Sequence, residues 1–270
     1  MRFKRPIALS FLFLLLNAAA WAAPEWTYPL AANILEDKGG YLVLTNKSVL
    51  MDASFEPHDL VTLNLRATNR GYELRGEAAE ALGQMFKAAE EEAGLKLYVK
   101  SAYRSYQTQS TMYDSRLSRN GKDDGVVAFP GSSDHQTGLG VDLLNYDWTR
   151  REGMTAAFGE TQEAKWMEEN AARFGYTLRY MPEKQEITGI IYEPWHFRYV
   201  GREAAAYMMD NRLTLEEFTQ ESNAAIKDYE SRGGDFAALC RELNAPPAPI
   251  MLDETDEEGD GEVSLFYPKP

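Results

Sequence analysis

The chain has 270 residues, of which 44% are hydrophobic and 26% are charged, and its formal net charge is −14. A chain of this size suits one globular domain with short additional segments. The strong negative charge argues against nucleic-acid binding, which requires a basic surface. It also disfavours adhesion to anionic lipids or teichoic acid.

Residues 1–22 have the pattern of a signal peptide. Basic residues at its start precede the apolar run Ile7 to Leu16, which is too short for a comfortable membrane span. Ala20-Trp21-Ala22 then forms a small-x-small cleavage site. We therefore expect an exported protein, secreted or associated with the cell envelope, and cleavage after Ala22 or Ala23. An uncleaved membrane anchor is the alternative.

Cysteine usage gives a second constraint. Cys240 is the only cysteine, so no intramolecular disulfide can form, and we expect no disulfide-linked partner. No motif surrounds Cys240, which favours a packed helix residue over a nucleophile. The fold must be stabilised by its hydrophobic core, and we expect a monomer.

The N-terminal part contains an arm at residues 23–40, a predicted short strand at 41–47 and a loop at 52–61. The loop includes His58, which we interpret as a surface histidine because nothing nearby has ligand spacing. It is kept as an alternative metal group.

The clearest helix is predicted over residues 76–93, where apolar residues recur at helical spacing and Gly94 supplies a left-handed cap. An alternating strand follows at 95–101. The end of that strand leads to Arg104, whose planar guanidinium suits a carboxylate or a polarised carbonyl. A further helix is predicted from Ser105 to Ser118.

The candidate metal ligands begin with His135 and Asp142. Neutral imidazole and carboxylate are both ligands that Zn²⁺ accepts in a tetrahedral site. Asp142 lies in the apolar run 141–144, which reads as a strand. An unpaired carboxylate in such a strand is costly to bury, and a metal ion would be its partner.

The second half of the candidate site is Glu193-Pro194-Trp195-His196. His196 would be the third protein ligand and would leave a fourth position for water, as catalytic zinc sites do. Glu193 would be the general base that takes a proton from that water. Residues three apart in a regular strand face opposite sides, so we expect an irregularity at Pro194 to direct Glu193 towards the metal. A core histidine is the alternative for His196.

The remaining elements surround this site. A second amphipathic helix is predicted at residues 161–174. Strands are predicted at 176–180, 189–192 and 195–200. A capping box at Thr214 opens a helix to about Ser231, and a short helix is predicted from Phe236 to Leu243. Asp253 to Glu262 holds seven acidic residues and is interpreted as a solvated, disordered tail.

Taken together, the motifs Ser-x-His-x-x-Gly-x-x-x-Asp and Glu-x-Trp-His resemble the VanY-type D-alanyl-D-alanine carboxypeptidases, which are zinc peptidases of peptidoglycan. The resemblance runs from about Tyr41 to about Gly201 and includes Ser101-Ala102-Tyr103-Arg104-Ser105. The chain departs from it at Asp134, where many relatives have glutamate, and at Gly140, where alanine is common.

The resemblance implies an α+β fold, in which a small antiparallel sheet bears a zinc site and is flanked by helices. It implies that Arg104, Gln109 and Ser133 contact the substrate and that Trp195 lines the pocket. It also implies one Zn²⁺ ion and, as substrates, peptidoglycan stem peptides ending in D-alanine. The expected domain limits are 41–212 for the peptidase domain, 213–250 for a C-terminal helical extension and 251–270 for the acidic tail.

Three alternatives stay open. The same metal motif would serve an L,D-carboxypeptidase or a D-Ala-D-Ala dipeptidase. A zinc-stabilised wall-binding module without catalysis is a third possibility, because one fold can host several functions. Glu193 favours an enzyme, since a binding module needs no carboxylate at that place.

Overall fold

The computed structural model describes residues 23–245. The predicted signal peptide at 1–22 and the acidic tail at 251–270 lie outside the described residues, as does the end of the predicted extension at 246–250. Between residues 23 and 245, no helix combines the length and the apolar character needed to cross a bilayer.

The chain is a mixture of helices and short antiparallel strands, which confirms the predicted α+β class. The strands of the described part are β1 (Leu60–Thr62), β2 (Glu73–Arg75), β3 (Tyr98–Ser101), β4 (Gly140–Leu144), β5 (Tyr176–Leu178) and β6 (His196–Tyr199). Its helices are α1 (Ala32–Leu35), α2 (Gly76–Ala93), α3 (Tyr106–Asn120), α4 (Tyr146–Thr149), α5 (Gln162–Asn170), α6 (Gln185–Thr188), α7 (Arg202–Asp210), α8 (Leu215–Ser231) and α9 (Phe236–Leu243).

A four-stranded antiparallel sheet in the order β3-β4-β6-β5 forms the centre of the molecule. Every residue of β4 and β6 is buried. Val141 and Phe197 pair across the two strands and belong to the same apolar cluster as Leu82 and Met85 of α2. The sheet is thus anchored on α2, and the long helix lies where the amphipathic pattern predicted it. Its cap, Gly94, has the expected left-handed φ of +69°.

A second apolar cluster joins α7 to α8 through Ala204, Met208, Leu215 and Phe218. The predicted capping box is present at the start of α8, where Thr214 and Glu217 bond each other's backbone N–H groups. These reciprocal bonds satisfy two donors that a helix start otherwise leaves unpaired.

Two predicted strands are wrong. Residues 41–47 pair with no strand, because the carbonyl groups of Tyr41 and Val43 accept hydrogen bonds from the Arg198 guanidinium instead. Residues 189–192 are irregular, because Gly189 ends α6 with a left-handed φ of +71°. The chain then enters β6 through a turn.

Candidate active site

The turn at Glu193-Pro194-Trp195-His196 brings Glu193 and His196 to the same side. The N–H of His196 donates to the carbonyl of Glu193 over 3.0 Å, which is the bond that closes a four-residue β-turn. Pro194 occupies the second position of the turn, where its fixed φ is favourable. As predicted, the irregularity at Pro194 redirects Glu193. Its Oε2 lies 3.9 Å from Nδ1 of His196.

Asp142 and His196 face each other across the two central strands. They are register partners in the β4–β6 pair, so their side chains project from the same face of the sheet. Asp142 Oδ1 lies 2.9 Å from His196 Nδ1. The pairing of two strands therefore places a carboxylate against an imidazole in the buried interior.

His135 reaches the same point from outside the sheet. It lies in a short 3-10 helix, Asp134–Thr137, which ends at Gly138 with φ +69°. Its Nδ1 contacts the carbonyl oxygen of Ala102 at 2.7 Å, so Nε2 is directed at Asp142 Oδ2, 3.4 Å away. A backbone carbonyl on one ring nitrogen is a common way to orient a histidine that binds a metal through the other.

The arrangement fits a metal ion by its chemistry. One donor atom from each of His135, Asp142 and His196 lies within 4.8 Å of the others. Asp142 is buried, and its ion-pair partners among the described residues are the two histidines. A buried carboxylate without Lys or Arg is expected to hold a cation, and this donor set suits Zn²⁺.

Burial and neighbouring charges shift the pKa values of the site. Burial, with the nearby Arg104 guanidinium, lowers the pKa of His135 to about 4. Burial raises the pKa of Glu193 to about 8, assisted by the Asp142 carboxylate. Burial alone would lower the pKa of His196, but the carboxylates of Asp134 and Asp142 outweigh it and raise that pKa to about 9. Glu193 is thus a stronger base than an exposed glutamate.

A cavity of about 350 Å³ opens onto these groups. Asp142, Glu193 and His196 line it. So do the three residues predicted to contact the substrate and the one predicted to line the pocket: Arg104, Gln109, Ser133 and Trp195. Other walls are apolar, including Met112, Val126, Met154 and Ile190.

Within the described part of the chain, three residues that line the cavity have a buried polar atom without a partner: Arg104, Gln109 and His196. Arg104 Nε and Gln109 Oε1 are buried without a hydrogen bond, although Gln109 Nε2 donates to the Ala128 carbonyl over 2.7 Å. Buried polar groups normally find partners. Arg104 Nε and Gln109 Oε1 are exceptions to this pattern. His58, in contrast, is exposed and is not in the His135–Asp142–His196 group.

Comparison with known proteins agrees with this geometry. Residues 71–202 match the family model VanY, described as D-alanyl-D-alanine carboxypeptidase. The protein YodJ of Bacillus subtilis (strain 168) is 40% identical over 196 residues, which is 69% of this chain and 70% of YodJ. This chain belongs to the VanY family of D-alanyl-D-alanine carboxypeptidases.

Solved VanY-family structures show the same fold. The LD-carboxypeptidase LdcB is 40% identical with a TM-score of 0.61, and the match covers 66% of this chain and 84% of LdcB. A mutant of the vancomycin-resistance D,D-pentapeptidase VanY, in complex with Zn(II), is 31% identical with a TM-score of 0.53. That match covers 66% of this chain and 98% of the other. Membership of this family makes the protein a carboxypeptidase.

The VanY motifs did not reveal a group of buried charges behind the site. Asp134 lies between the guanidinium groups of Arg179 and Arg198, and all three side chains are buried. Tyr180 was also missed; its ring packs on His196 with centroids 5.0 Å apart. A signal existed, since an arginine inside an apolar strand requires a buried carboxylate partner. Residues 176–180 and 195–199 each contain one.

Proposed function

We propose that this protein is an exported zinc carboxypeptidase that removes the C-terminal D-alanine from peptidoglycan stem peptides. The observation that carries the proposal is the convergence of His135, Asp142 and His196 within 4.8 Å, with the Glu193 carboxylate 3.9 Å from His196 Nδ1. Three ligands with a nearby general base are what metal-assisted peptide hydrolysis requires.

His135, Asp142 and His196 would hold the ion. When bound, Zn²⁺ supplies Lewis-acid chemistry, which polarises a carbonyl and makes a water molecule more acidic. Glu193 accepts the proton of the attacking water, for which its raised pKa is suited. It then passes that proton to the nitrogen of the departing D-alanine. The turn places the carboxylate at the wall of the cavity.

Arg104 supplies positive charge to the substrate. Arg104 lines the cavity, and its Nη1 donates to the sulfur of Met112, 3.2 Å away. A guanidinium aimed at the scissile carbonyl stabilises the developing oxyanion, an effect of a few kcal/mol for a good donor. Gln109 and Ser133 would orient the peptide, and Trp195 would form a wall of the pocket.

The residue on the acyl side of the scissile bond separates two candidates. A D,D-carboxypeptidase cleaves after D-alanine in a pentapeptide stem, and the family description favours this activity. An L,D-carboxypeptidase removes D-alanine from a tetrapeptide stem, and the 40% identity with LdcB favours that activity. Hydrolysis of free D-alanyl-D-alanine would be a third activity of the same site.

The experiment that tests the proposal is product analysis. The purified zinc-loaded enzyme is incubated with pentapeptide stems, tetrapeptide stems and the free dipeptide, and the products are identified by mass spectrometry. Release of D-alanine from at least one stem peptide supports the proposal. Retention of zinc with no hydrolysis of any of the three substrates would instead indicate a non-catalytic wall-binding module.

Export and chain organisation are part of the same proposal. We infer from the basic, apolar and small-x-small pattern that residues 1–22 direct export and are removed. N-terminal sequencing of the protein from the culture medium and the cell envelope would test this; a sequence beginning at Met1 would contradict cleavage. The domain limits at 41–212, 213–250 and 251–270 and the monomeric state remain predictions.

A further inference from the structure

A buried carboxylate faces the back of the ligand His196. Asp134 Oδ2 lies 3.9 Å from His196 Nε2, and this nitrogen has no hydrogen-bond partner within residues 23–245. The other ring nitrogen, Nδ1, faces Asp142 and Glu193. A histidine that binds metal through one nitrogen commonly directs the N–H of the other at a carboxylate, and this contact fixes the ring. Asp134 is in place for that role.

Asp134 is itself held by two buried arginines. Arg179 Nε donates to Asp134 Oδ2 over 2.8 Å, and Arg198 Nη1 donates to Asp134 Oδ1. The side chains of the two arginines are 1% and 0% exposed. One carboxylate cannot neutralise two buried guanidinium groups, so the arginines require another anion.

The additional anion comes from α8, beyond the end of the family match at residue 202. Glu216 accepts from Arg179 Nη1 at 2.8 Å and from Nη2 at 2.7 Å. This is the two-point geometry that fits a carboxylate to a guanidinium. Glu216 lies in the first turn of α8, which the Thr214 capping box holds in place.

The N-terminal arm completes the network from the other side. Arg198 Nη2 donates to the carbonyl oxygens of Tyr41 and Val43, which lie before the matched segment begins at residue 71. Two carboxylates and two guanidinium groups balance in charge. Segments on both sides of the matched region therefore fix the carboxylate behind His196.

We propose that Glu216 is a positioning residue of the metal centre, which holds Arg179 and Asp134 and thereby orients His196. This inference rests on the proposed function, because it assigns His196 as a metal ligand. The helix α8 is then part of the enzyme's working unit rather than an appended segment.

The test compares two glutamates that are neighbours on α8. Glu216→Gln keeps the size of the side chain and removes the charge that Arg179 binds. Glu217→Gln is the matched control, because glutamine can keep the capping-box bond to the Thr214 N–H. The substitution removes only the charge that pairs with the partly exposed Lys184 over 2.8 Å. In the full-length protein, we measure zinc affinity by competition with a chromogenic chelator, the visible spectrum after Co²⁺ loading, and thermal unfolding without metal.

The expected result is weaker zinc binding by Glu216→Gln and an altered Co²⁺ spectrum. The loss should fall at the lower end of the roughly 10-fold to 100-fold range found for outer partners of metal ligands. Glu217→Gln should bind zinc as the wild type does. Glu216→Asp, which keeps the charge but reaches less far, should be intermediate.

Three outcomes would overturn the inference. If Glu216→Gln unfolds at a lower temperature but binds zinc and Co²⁺ as the wild type does, Glu216 only stabilises the fold. If Glu216→Gln does not fold, the Glu216→Asp variant decides. Zinc affinity equal to that of the wild type in Glu216→Asp would also show that Glu216 only stabilises the fold. If the wild type binds no zinc, both this inference and the proposed function are wrong. If the wild type hydrolyses stem peptides and Glu216→Gln binds zinc as the wild type does, only this inference is wrong and the proposed function is supported.

Discussion

Glu193 Oε2 and Asp142 Oδ1 both face Nδ1 of His196, at distances of 3.9 Å and 2.9 Å respectively. The β4–β6 register places the Asp142 carboxylate there, and the turn that leads into β6 places the Glu193 carboxylate there. This relationship separates the roles of the two acids. Both acids line the cavity, but Asp142 is shared by both histidines, whereas burial raises the pKa of Glu193.

Replacing Glu193 by glutamine should remove turnover and retain metal. Glutamine keeps the shape of the side chain but cannot accept the proton of the attacking water, so kcat should fall by about 10²-fold to 10⁴-fold. Steady-state kinetics on the preferred stem peptide and metal analysis of the purified variant check this. Glu183→Gln, which alters a surface ion pair with Arg212, is the control. An active Glu193→Gln enzyme would contradict the role of Glu193 as base.

Zinc should stabilise the protein through the buried histidines His135 and His196 and not through His58. A ligand that binds only the folded state at 100 times its Kd adds about 2.7 kcal/mol to the free energy of unfolding. Thermal unfolding with and without zinc should therefore show a shift in Tm for the wild type and for His58→Ala. The shift should disappear in His196→Ala. Loss of the shift in His58→Ala would place the ion elsewhere.

Arg104→Lys should impair catalysis although it keeps the positive charge. A lysine ammonium cannot reproduce the planar two-point geometry of a guanidinium, and loss of a donor to the oxyanion costs on the order of 10²-fold in kcat. The measurement is kcat and KM for the stem peptide. Arg116→Lys on α3, where Arg116 pairs with Asp124, should leave both constants unchanged. Equal effects of the two substitutions on kcat and KM would contradict a catalytic role for Arg104.

Gly138→Ala should destabilise the fold more than Gly121→Ala does. Both glycines have left-handed φ angles, +69° and +73°, so each alanine carries a strain of about 1–2 kcal/mol. At Gly138 the added Cβ would also lie 3.0 Å from Arg75 Cγ and Leu60 Cδ2, whereas the space at Gly121 is open.

That crowding should add roughly 1–3 kcal/mol at Gly138. Chemical denaturation of the two variants measures the difference in the free energy of unfolding. Because Gly138 ends the short helix that bears His135, zinc affinity should fall in Gly138→Ala alone. Equal destabilisation of the two variants would show that the chain around Gly138 relaxes freely.

The elements that depend on neighbouring residues were predictable. The apolar spacing and Gly94 predicted α2 with its observed ends, and Thr214 with Glu217 predicted the start of α8. Each of these features is decided within a few residues, by a repeating face or by a local hydrogen bond. One of the two wrong strands has a distant cause, because the carbonyl of Tyr41 bonds Arg198, 157 residues away. The other has a local cause that the apolar pattern did not show, because Gly189 ends α6 with a left-handed φ.

The sequence by itself determined the family, the longer helices such as α2 and α8, and the four residues of the proposed metal and base chemistry, because each left a local pattern or a short motif. Only the tertiary structure decided how those residues meet: the register that sets Asp142 against His196, and the turn that brings Glu193 beside it. It alone connected Asp134 to Arg179, Arg198 and Glu216. Burial forces such charges to find partners, but which partner each one finds depends on how distant segments pack, and no local pattern encodes that choice.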